Sequence, residues 1–268
     1  NIAQNHTQIT YYIVLVLGLF VLIEFIYSIK ERAAISNFLK SSGVIAIAVI
    51  LAIIPNIYDL FYTYDYGKES TRSKSELTQA NNSGGLDKDY AWMWSYGKME
   101  TFTLLIPNFN GGSSNSELSK SSNLYNAFKN NGVPEQQAMQ YVKSAPTYWG
   151  EQPFTSGPVY VGAIICFLFI LGLLIIPGRN KWWILSVAIL GIILSWGKNF
   201  TLLNDLFFNY LPGYNKFRTV SMSLTITCFA MALMAIMALK EVIEKSIPKV
   251  KLQKSMIIAL ASTAGVSL

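Results

Sequence analysis

The feature that most constrains this chain is a set of apolar runs close to the length of a bilayer crossing. The run from Val159 to Pro177 contains no charged residue, and a helix needs about 20 apolar residues to span the hydrocarbon core. Only 13% of the residues are charged, whereas a soluble domain carries about 25%. The runs and the low charge together indicate membrane residence rather than one large water-soluble core.

These runs predict an all-α chain that crosses the membrane several times. A backbone in hydrocarbon must satisfy its own hydrogen bonds, and runs without period-two alternation favour helices over barrel strands. The predicted crossings are residues 11–29, 43–63, 158–177, 182–197 and 219–239, with part of a sixth at 256–268. The chain begins at Asn1 and ends inside that last apolar run, which indicates an internal piece of a longer protein.

The predicted organisation has three parts. Residues 1–63 hold the first two crossings and a loop at 30–42, residues 64–157 form a polar loop region, and residues 158–268 hold the later crossings with an outer amphipathic segment at 198–218. Within the loop region, residues 123–142 are predicted to form two short helices. The apolar face of the first comprises Leu124, Ala127 and Phe128.

An aromatic stretch of the loop region is predicted to lie in the membrane interface, because Trp and Tyr side chains suit the headgroup depth of a bilayer. Its residues are Trp92, Trp94 and Tyr96.

Basic residues set the predicted orientation. Ten of the 21 Lys and Arg residues fall in the short stretches 30–40, 178–181 and 240–254, which the predicted crossings place on one side. The positive-inside rule then puts these stretches in the cytoplasm and residues 64–157 outside. The net charge of +6 is explained by this topology and by contact with anionic lipid, and nucleic acid is not a predicted partner.

Motifs for cofactor chemistry are absent from the sequence. It contains no Walker loop, Rossmann glycine pattern, zinc motif or nucleophile elbow. Cys166 and Cys228 lie in apolar runs and are predicted to act as small hydrophobic residues. For the carboxylates Glu24 and Asp59, an ion pair or an interfacial position is the simplest prediction, and for Asp205 it is a position at a helix N-terminus or in solvent. No catalytic residue and no metal ligand is assigned.

Basic side chains on the predicted outer side give a candidate binding site. Phosphate is bound by guanidinium and ammonium donors, and Arg is favoured for its bidentate fork. An outward cavity that gathers such groups at headgroup level would hold a lipid-linked phosphate. The alternative, that each is an ordinary interfacial side chain, stays open. The candidate residues are Arg72, Lys216 and Arg218, followed by Lys74, Lys198 and His6.

Five sequence blocks carry a resemblance to a known family. The blocks are NHTQITYY (5–12), YGKESTRSKSEL (66–77), GLDKDYAWMWSYGKMETFTLLIPNFNGG (85–112), PTYWGEQPFTSGPVYVG (146–162) and LPGYNKFRTVSM (211–222). Together they resemble YfhO-family membrane proteins of the Bacteroidetes type, and the resemblance covers essentially the whole chain. Members of that family are considerably longer, and this chain resembles their middle portion.

The resemblance implies a multi-pass glycosyltransferase of the GT-C type in the bacterial cytoplasmic membrane. Its implied donor is a polyprenyl-phosphate sugar, and its implied acceptor is a cell-envelope glycan or lipid on the outer face. The catalytic acid is implied to lie upstream of Asn1, and a divalent metal stays open as a cofactor. A transporter or flippase for lipid-linked glycans and a non-catalytic scaffold for cell-surface assembly are the alternatives from other functional classes.

Overall fold

The computed structural model describes residues 6–30, 35–70, 85–244 and 247–267. Within those ranges the regular elements are all helices, and an isolated β-bridge joins Ser116 to Ala145. The predicted all-α fold class is confirmed.

Helices of very different lengths make up the chain. The α-helices are α1 (Thr7–Lys30), α2 (Ile35–Ile53), α3 (Ile57–Lys68), α4 (Lys88–Ala91), α5 (Asn123–Asn130), α6 (Glu135–Val142), α7 (Ala163–Ile175), α8 (Asn180–Ser195), α9 (Thr201–Tyr210), α10 (Leu224–Ile243) and α11 (Lys249–Ser267). Short 3₁₀ helices lie at Ile54–Asn56, Met99–Leu104, Gly197–Asn199, Tyr214–Lys216 and Val220–Ser223.

Within the described ranges, three helical segments are long and apolar enough to cross a membrane: Thr7–Lys30, Ile35–Lys68 and Val220–Ile243. The apolar helices α7 and α8 have only 13 and 16 residues. At 1.5 Å per residue they measure about 20 and 24 Å, less than a hydrocarbon core of about 30 Å. The chain thus has the helices of a membrane protein. The crossing predicted at 158–177 is shorter than expected, whereas the one predicted at 182–197 has its expected length of 16 residues and begins two residues earlier.

Other helix boundaries differ from the predicted ones because hydropathy does not register every helix-forming residue. The loop predicted at 30–42 is shorter, since α2 already begins at Ile35. The crossing predicted at 43–63 continues to Lys68 through a 3₁₀ turn. The last helix begins at Lys249 instead of residue 256, because Lys, Leu and Gln are good helix formers despite their different polarity.

The helices α5 and α6 form the predicted pair, but α5 presents a different face. Tyr125 is its buried side chain, and Phe128 packs beside it against α6. Leu124 and Ala127, predicted to share that face, are exposed. A tyrosine ring buries more apolar area than leucine or alanine, so it determines which side of the short helix faces its partner.

The core of the helical bundle forms where α10 packs against both α7 and α8. Gly191 of α8 permits a close approach to Thr227 of α10. Two hydroxyls then join the helices: Ser223 Oγ donates to the Gly191 carbonyl at 2.8 Å, and Thr227 Oγ1 donates to the Ala188 carbonyl at 3.0 Å. Small residues and hydroxyl-to-backbone hydrogen bonds are typical of helix packing in membranes.

The helices run between two ends of the bundle. Near the start of α1, the Gln8 side chain donates to the Arg218 carbonyl just before α10. Near the end of α1, Glu24 pairs with Arg179 at 2.9 Å, beside the turn between α7 and α8. We call the end that carries the start of α1, residues 85–162 and residues 196–223 the loop end, and the other one the opposite end.

The helices α2 and α3 are exposed on all sides, and neither has a buried residue. Their exposed side chains include Val44, Ile47, Leu51 and Phe61. Exposed apolar side chains of this kind are stable where their surroundings are apolar too, as they are in a lipid bilayer.

Replacing Gly191 with valine is expected to destabilise the contact between α8 and α10. A Cβ at this position would lie 2.3 Å from Thr227 Oγ1 and 2.9 Å from the Ser223 carbonyl oxygen. Overpacking of this kind costs about 1–3 kcal/mol, so thermal unfolding in lipid nanodiscs should occur several degrees lower. The matched control is Gly18→Val in α1, where a Cβ meets nothing within 4 Å. Equal loss of stability in both variants would contradict the prediction.

Candidate functional site

Hydrogen bonds bring three separate parts of the chain together at the loop end. The Thr219 N–H donates to the Ala91 carbonyl at 3.2 Å. From α1, Gln8 Nε2 donates to the Arg218 carbonyl at 2.8 Å. The segment ahead of α10, which carries Arg218 and Thr219, is therefore held between the start of α1 and the end of α4.

These contacts hold Thr219 in an unusual backbone conformation. Its φ of 61° and ψ of 62° lie in the left-handed region, which a β-branched residue rarely adopts. Strain of this kind costs about 1–3 kcal/mol and persists where the surrounding structure imposes it, often at functional sites. The strained residue directly follows Arg218 and lines a cavity.

This cavity has a volume of about 390 Å³, and we call it the loop-end cavity. Its wall is formed by residues of the aromatic stretch, of the segment 152–159 and of the segment 219–228. The described side chains that line it are aromatic, apolar, hydroxyl or amide groups, and none is charged. In the wall, the rings of Trp94 and Phe154 pack edge to face with centroids 5.2 Å apart.

The Arg218 side chain lies at the edge of the loop-end cavity. Its guanidinium carbon is 5.9 Å from the Trp94 ring centroid and 5.8 Å from that of Tyr90. Its Nη1 donates to the Tyr90 hydroxyl at 2.5 Å. Among the described residues, no carboxylate forms an ion pair with it. A guanidinium that aromatic groups hold in place without a counter-ion is able to bind an anion.

The other described candidate cations do not contact the cavity wall. The exposed Lys198 follows α8, where its N–H donates to Ser95 Oγ at 2.9 Å. Lys216 is the last residue of the short 3₁₀ helix Tyr214–Lys216. His6 precedes α1, and its Nδ1 accepts the Ile9 N–H at 3.4 Å. His6 therefore acts as a cap of α1.

Two candidates, Arg72 and Lys74, lie outside the described residues. The convergence of Arg72, Lys216 and Arg218 on one lipid phosphate thus stays a prediction. His6 lines a separate apolar hollow of about 240 Å³ between α1 and α3, so it belongs to a different surface from the loop-end cavity.

Trp92 and Tyr96 are buried in the protein, which corrects the prediction that they lie in the membrane interface. Their side chains are 3% and 1% exposed. Trp92 packs edge to face on Phe208 of α9, with ring centroids 5.7 Å apart, and the Tyr96 N–H donates to the Ser195 carbonyl at 2.8 Å. The large rings fill the space between the loop region and the helices because burial there stabilises them more than a position at the headgroups.

The carboxylates considered from the sequence take structural positions. Asp205 forms an ion pair with Lys88, and Glu24 forms one with Arg179, while Asp59 lies exposed on α3. Across the described ranges, His, Cys, Asp and Glu side chains form no group of three that could hold a metal ion. The described donor set therefore does not fit a divalent metal.

Glu100 is a buried carboxylate behind the cavity wall that the sequence patterns did not single out. It is 3% exposed. Its Oε1 accepts from the Tyr148 hydroxyl at 2.8 Å and from Gln152 Nε2 at 3.1 Å, and its Oε2 accepts the Gly97 N–H at 3.1 Å. None of the described Lys or Arg side chains pairs with it. Neutral donors thus replace water around a group whose burial is otherwise costly.

The hydroxyl donors near Glu100 stay protonated. Burial raises the pKa of Tyr148 to about 12, and the neighbouring Glu100 carboxylate also contributes to the rise. Burial likewise raises the pKa of Tyr96, whose hydroxyl is hydrogen-bonded to Thr103. Both phenols are therefore neutral at physiological pH, and the Tyr148 hydroxyl keeps the proton that it donates to Glu100.

No protein-family model matches the chain, and no curated protein or solved structure shows significant similarity to it. The resemblance to YfhO-family proteins therefore stays a prediction. Residues from four of the five blocks nevertheless meet around the loop-end cavity. They are Gln8, Trp94, Gln152 and Thr219.

Substituting leucine for Gln8 is expected to loosen the segment ahead of α10. The change removes the donor to the Arg218 carbonyl and to the Tyr12 hydroxyl, and leaving a buried acceptor unsatisfied costs about 1–3 kcal/mol. The thermal midpoint in nanodiscs should fall, and protease cleavage near Arg218 should become faster. The control Thr10→Val removes only a bond to the His6 carbonyl within the first turn of α1. A Gln8→Leu variant as resistant as this control would contradict the prediction.

Proposed function

We propose that the chain is part of a membrane glycosyltransferase. It takes a sugar from a polyprenyl-phosphate donor and transfers it to a cell-envelope glycan or lipid on the outer face of the bacterial cytoplasmic membrane. The observation that carries the proposal is the position of Arg218. Two aromatic side chains hold it at the edge of the loop-end cavity, whose described lining is uncharged, and no described carboxylate pairs with it. The resemblance of the sequence blocks supports the same activity.

The proposed orientation places the loop end outside the cell. The opposite end carries Lys30, Arg179 and Lys181, together with the basic start of α11. Because Lys and Arg are enriched in short cytoplasmic loops, this distribution supports a cytoplasmic position for that end. The loop-end cavity then opens at the outer leaflet, where a lipid-linked sugar is accessible.

The role of Arg218 in this reaction is electrostatic. When the bond between the sugar carbon and the phosphate oxygen breaks, negative charge grows on the departing phosphate. A positioned guanidinium stabilises that charge more strongly than it stabilises the ground state, and only such differential binding accelerates the step. Tyr90 and Trp94 hold the group in advance, which limits the reorganisation needed during reaction. The acceptor hydroxyl loses its proton to a carboxylate, for which no residue of this chain is assigned.

Replacing Arg218 with alanine is expected to reduce sugar transfer by about 10²-fold or more, since removal of a group that stabilises transition-state charge typically has this effect. The assay measures transfer from a radiolabelled polyprenyl-phosphate sugar to native envelope acceptors by the full-length protein in nanodiscs. Arg218→Lys should retain part of the activity, because it keeps the charge and loses the planar fork.

The matched control for this substitution is Lys251→Ala, an exposed cation at the opposite end. It should leave transfer unchanged, and all variants should insert into the membrane normally. Unchanged transfer in the Arg218→Ala variant would overturn the proposal. Movement of the lipid-linked sugar across the bilayer without transfer would favour a transporter, and neither activity would favour a scaffold.

The orientation is testable by cysteine labelling in intact cells. With Cys166 and Cys228 replaced by alanine, an Asn131→Cys variant at the loop end should react with a membrane-impermeant maleimide. A Lys251→Cys variant at the opposite end should react only after the cells are opened. The reverse pattern would place the loop end in the cytoplasm and contradict the proposed site of transfer.

A further inference from the structure

The wall of the loop-end cavity has the chemistry of a site for a neutral, hydroxyl-rich ligand. Aromatic rings from Trp94 and Phe154 provide apolar faces, and Phe154 is 60% exposed. The side-chain hydroxyls of Thr219 and Ser221 also line it, and neither forms a hydrogen bond to another described residue. A charged ligand would find no counter-ion among the described lining residues, and burying an unpaired charge is costly.

The amide of Gln152 adds a directed hydrogen-bond acceptor to this wall. Gln152 lines the cavity, and its Nε2 donates to Glu100 Oε1 at 3.1 Å. A carboxylate only accepts hydrogen bonds, so the opposite amide orientation would set two oxygens against each other. Glu100 therefore fixes the direction of the amide. The carbonyl oxygen Oε1 of Gln152, to which no described group donates, is left for a ligand hydroxyl.

The arrangement also discriminates against anions. A carboxylate or phosphate group has no proton to donate to Gln152 Oε1, and it would lie close to the buried Glu100 side chain behind the wall. An anionic group finds its favourable partner at the edge of the cavity instead, at Arg218. The volume of about 390 Å³ lies at the small end of the usual range for ligand pockets of about 300–1,000 Å³, which suits a single sugar unit.

We infer that the loop-end cavity binds a neutral sugar ring, one of whose hydroxyls donates to Gln152 Oε1, and that Glu100 is a positioning residue that enforces this orientation and excludes anionic sugars. The inference rests on the proposed function, which identifies the bound sugar as part of a glycosyl donor. It adds the selectivity of the site, which the proposed function leaves open.

The test measures direct binding of free sugars to the full chain in lipid nanodiscs, which avoid sugar-based detergents. The probes are methyl glycosides of neutral hexoses and the corresponding uronic acids, and binding is followed by saturation-transfer NMR and tryptophan fluorescence. At least one neutral glycoside should bind about tenfold or more tightly than its uronic acid. Equal or tighter binding of the uronic acid would overturn the inference.

Two variants test whether Glu100 orients the Gln152 amide or only stabilises the fold. Gln152→Leu should weaken binding of the neutral glycoside about five- to tenfold, the loss expected for one hydrogen bond. Glu100→Gln allows the Gln152 amide to turn over, so the preference for the neutral glycoside over the uronic acid should shrink toward unity. Loss of stability alone would lower both affinities and leave their ratio unchanged, and that result would remove the positioning role of Glu100.

The control Gln136→Leu replaces an exposed glutamine of α6, away from the cavity, and should change nothing. If Glu100→Gln fails to fold, the partly buried Gln152→Leu variant still decides the inference, because unchanged affinity there would overturn it. Neutral sugar binding without any transfer would overturn the proposed function alone. Transfer that depends on Arg218, with no sugar selectivity in the cavity, would overturn this inference alone.

Discussion

The close packing of α10 against α7 and α8 is the contact on which the candidate site depends. Gly191 and the hydroxyls of Ser223 and Thr227 fix the position of α10 along the axis of α8. The segment that carries Arg218 and Thr219 leads directly into α10, so its position follows from that helix. A shift of α10 along α8 would carry one wall of the loop-end cavity with it.

The distribution of charge divides the loop end into two environments. Lys88 and Asp205 neutralise each other, and Glu100 is surrounded by neutral donors, whereas Arg218 has aromatic partners in place of a carboxylate. Pairing an acid with a base removes the net field of both groups. A cation that no described carboxylate pairs with retains its field. Beside a cavity whose described lining is uncharged, it can recognise an anion at the edge while the interior accepts a neutral group.

Local patterns in the sequence predicted the elements of the fold better than the contacts between them. The all-α class and the paired helices α5 and α6 follow from hydropathy and turn residues, and the structure confirms them. Hydropathy cannot distinguish burial in lipid from burial in protein. This is why Trp92 and Tyr96 are predicted at headgroup depth but lie in the core, and why the predicted length of α7 is too great.

In the candidate site, too, sequence patterns indicate single residues but not the contacts between distant residues. Arg218 is a predicted phosphate ligand because a basic residue before a crossing is a local signal, and this role stays a prediction. The role of Glu100 depends on Tyr148 and Gln152, which lie about 50 residues further along the chain. A lone acidic residue in an aromatic stretch is the only sign it leaves in the sequence. Its partners are distant in the sequence and come close only when the loop region folds. In the folded chain, the Glu100 carboxylate can then orient the Gln152 amide in the cavity wall.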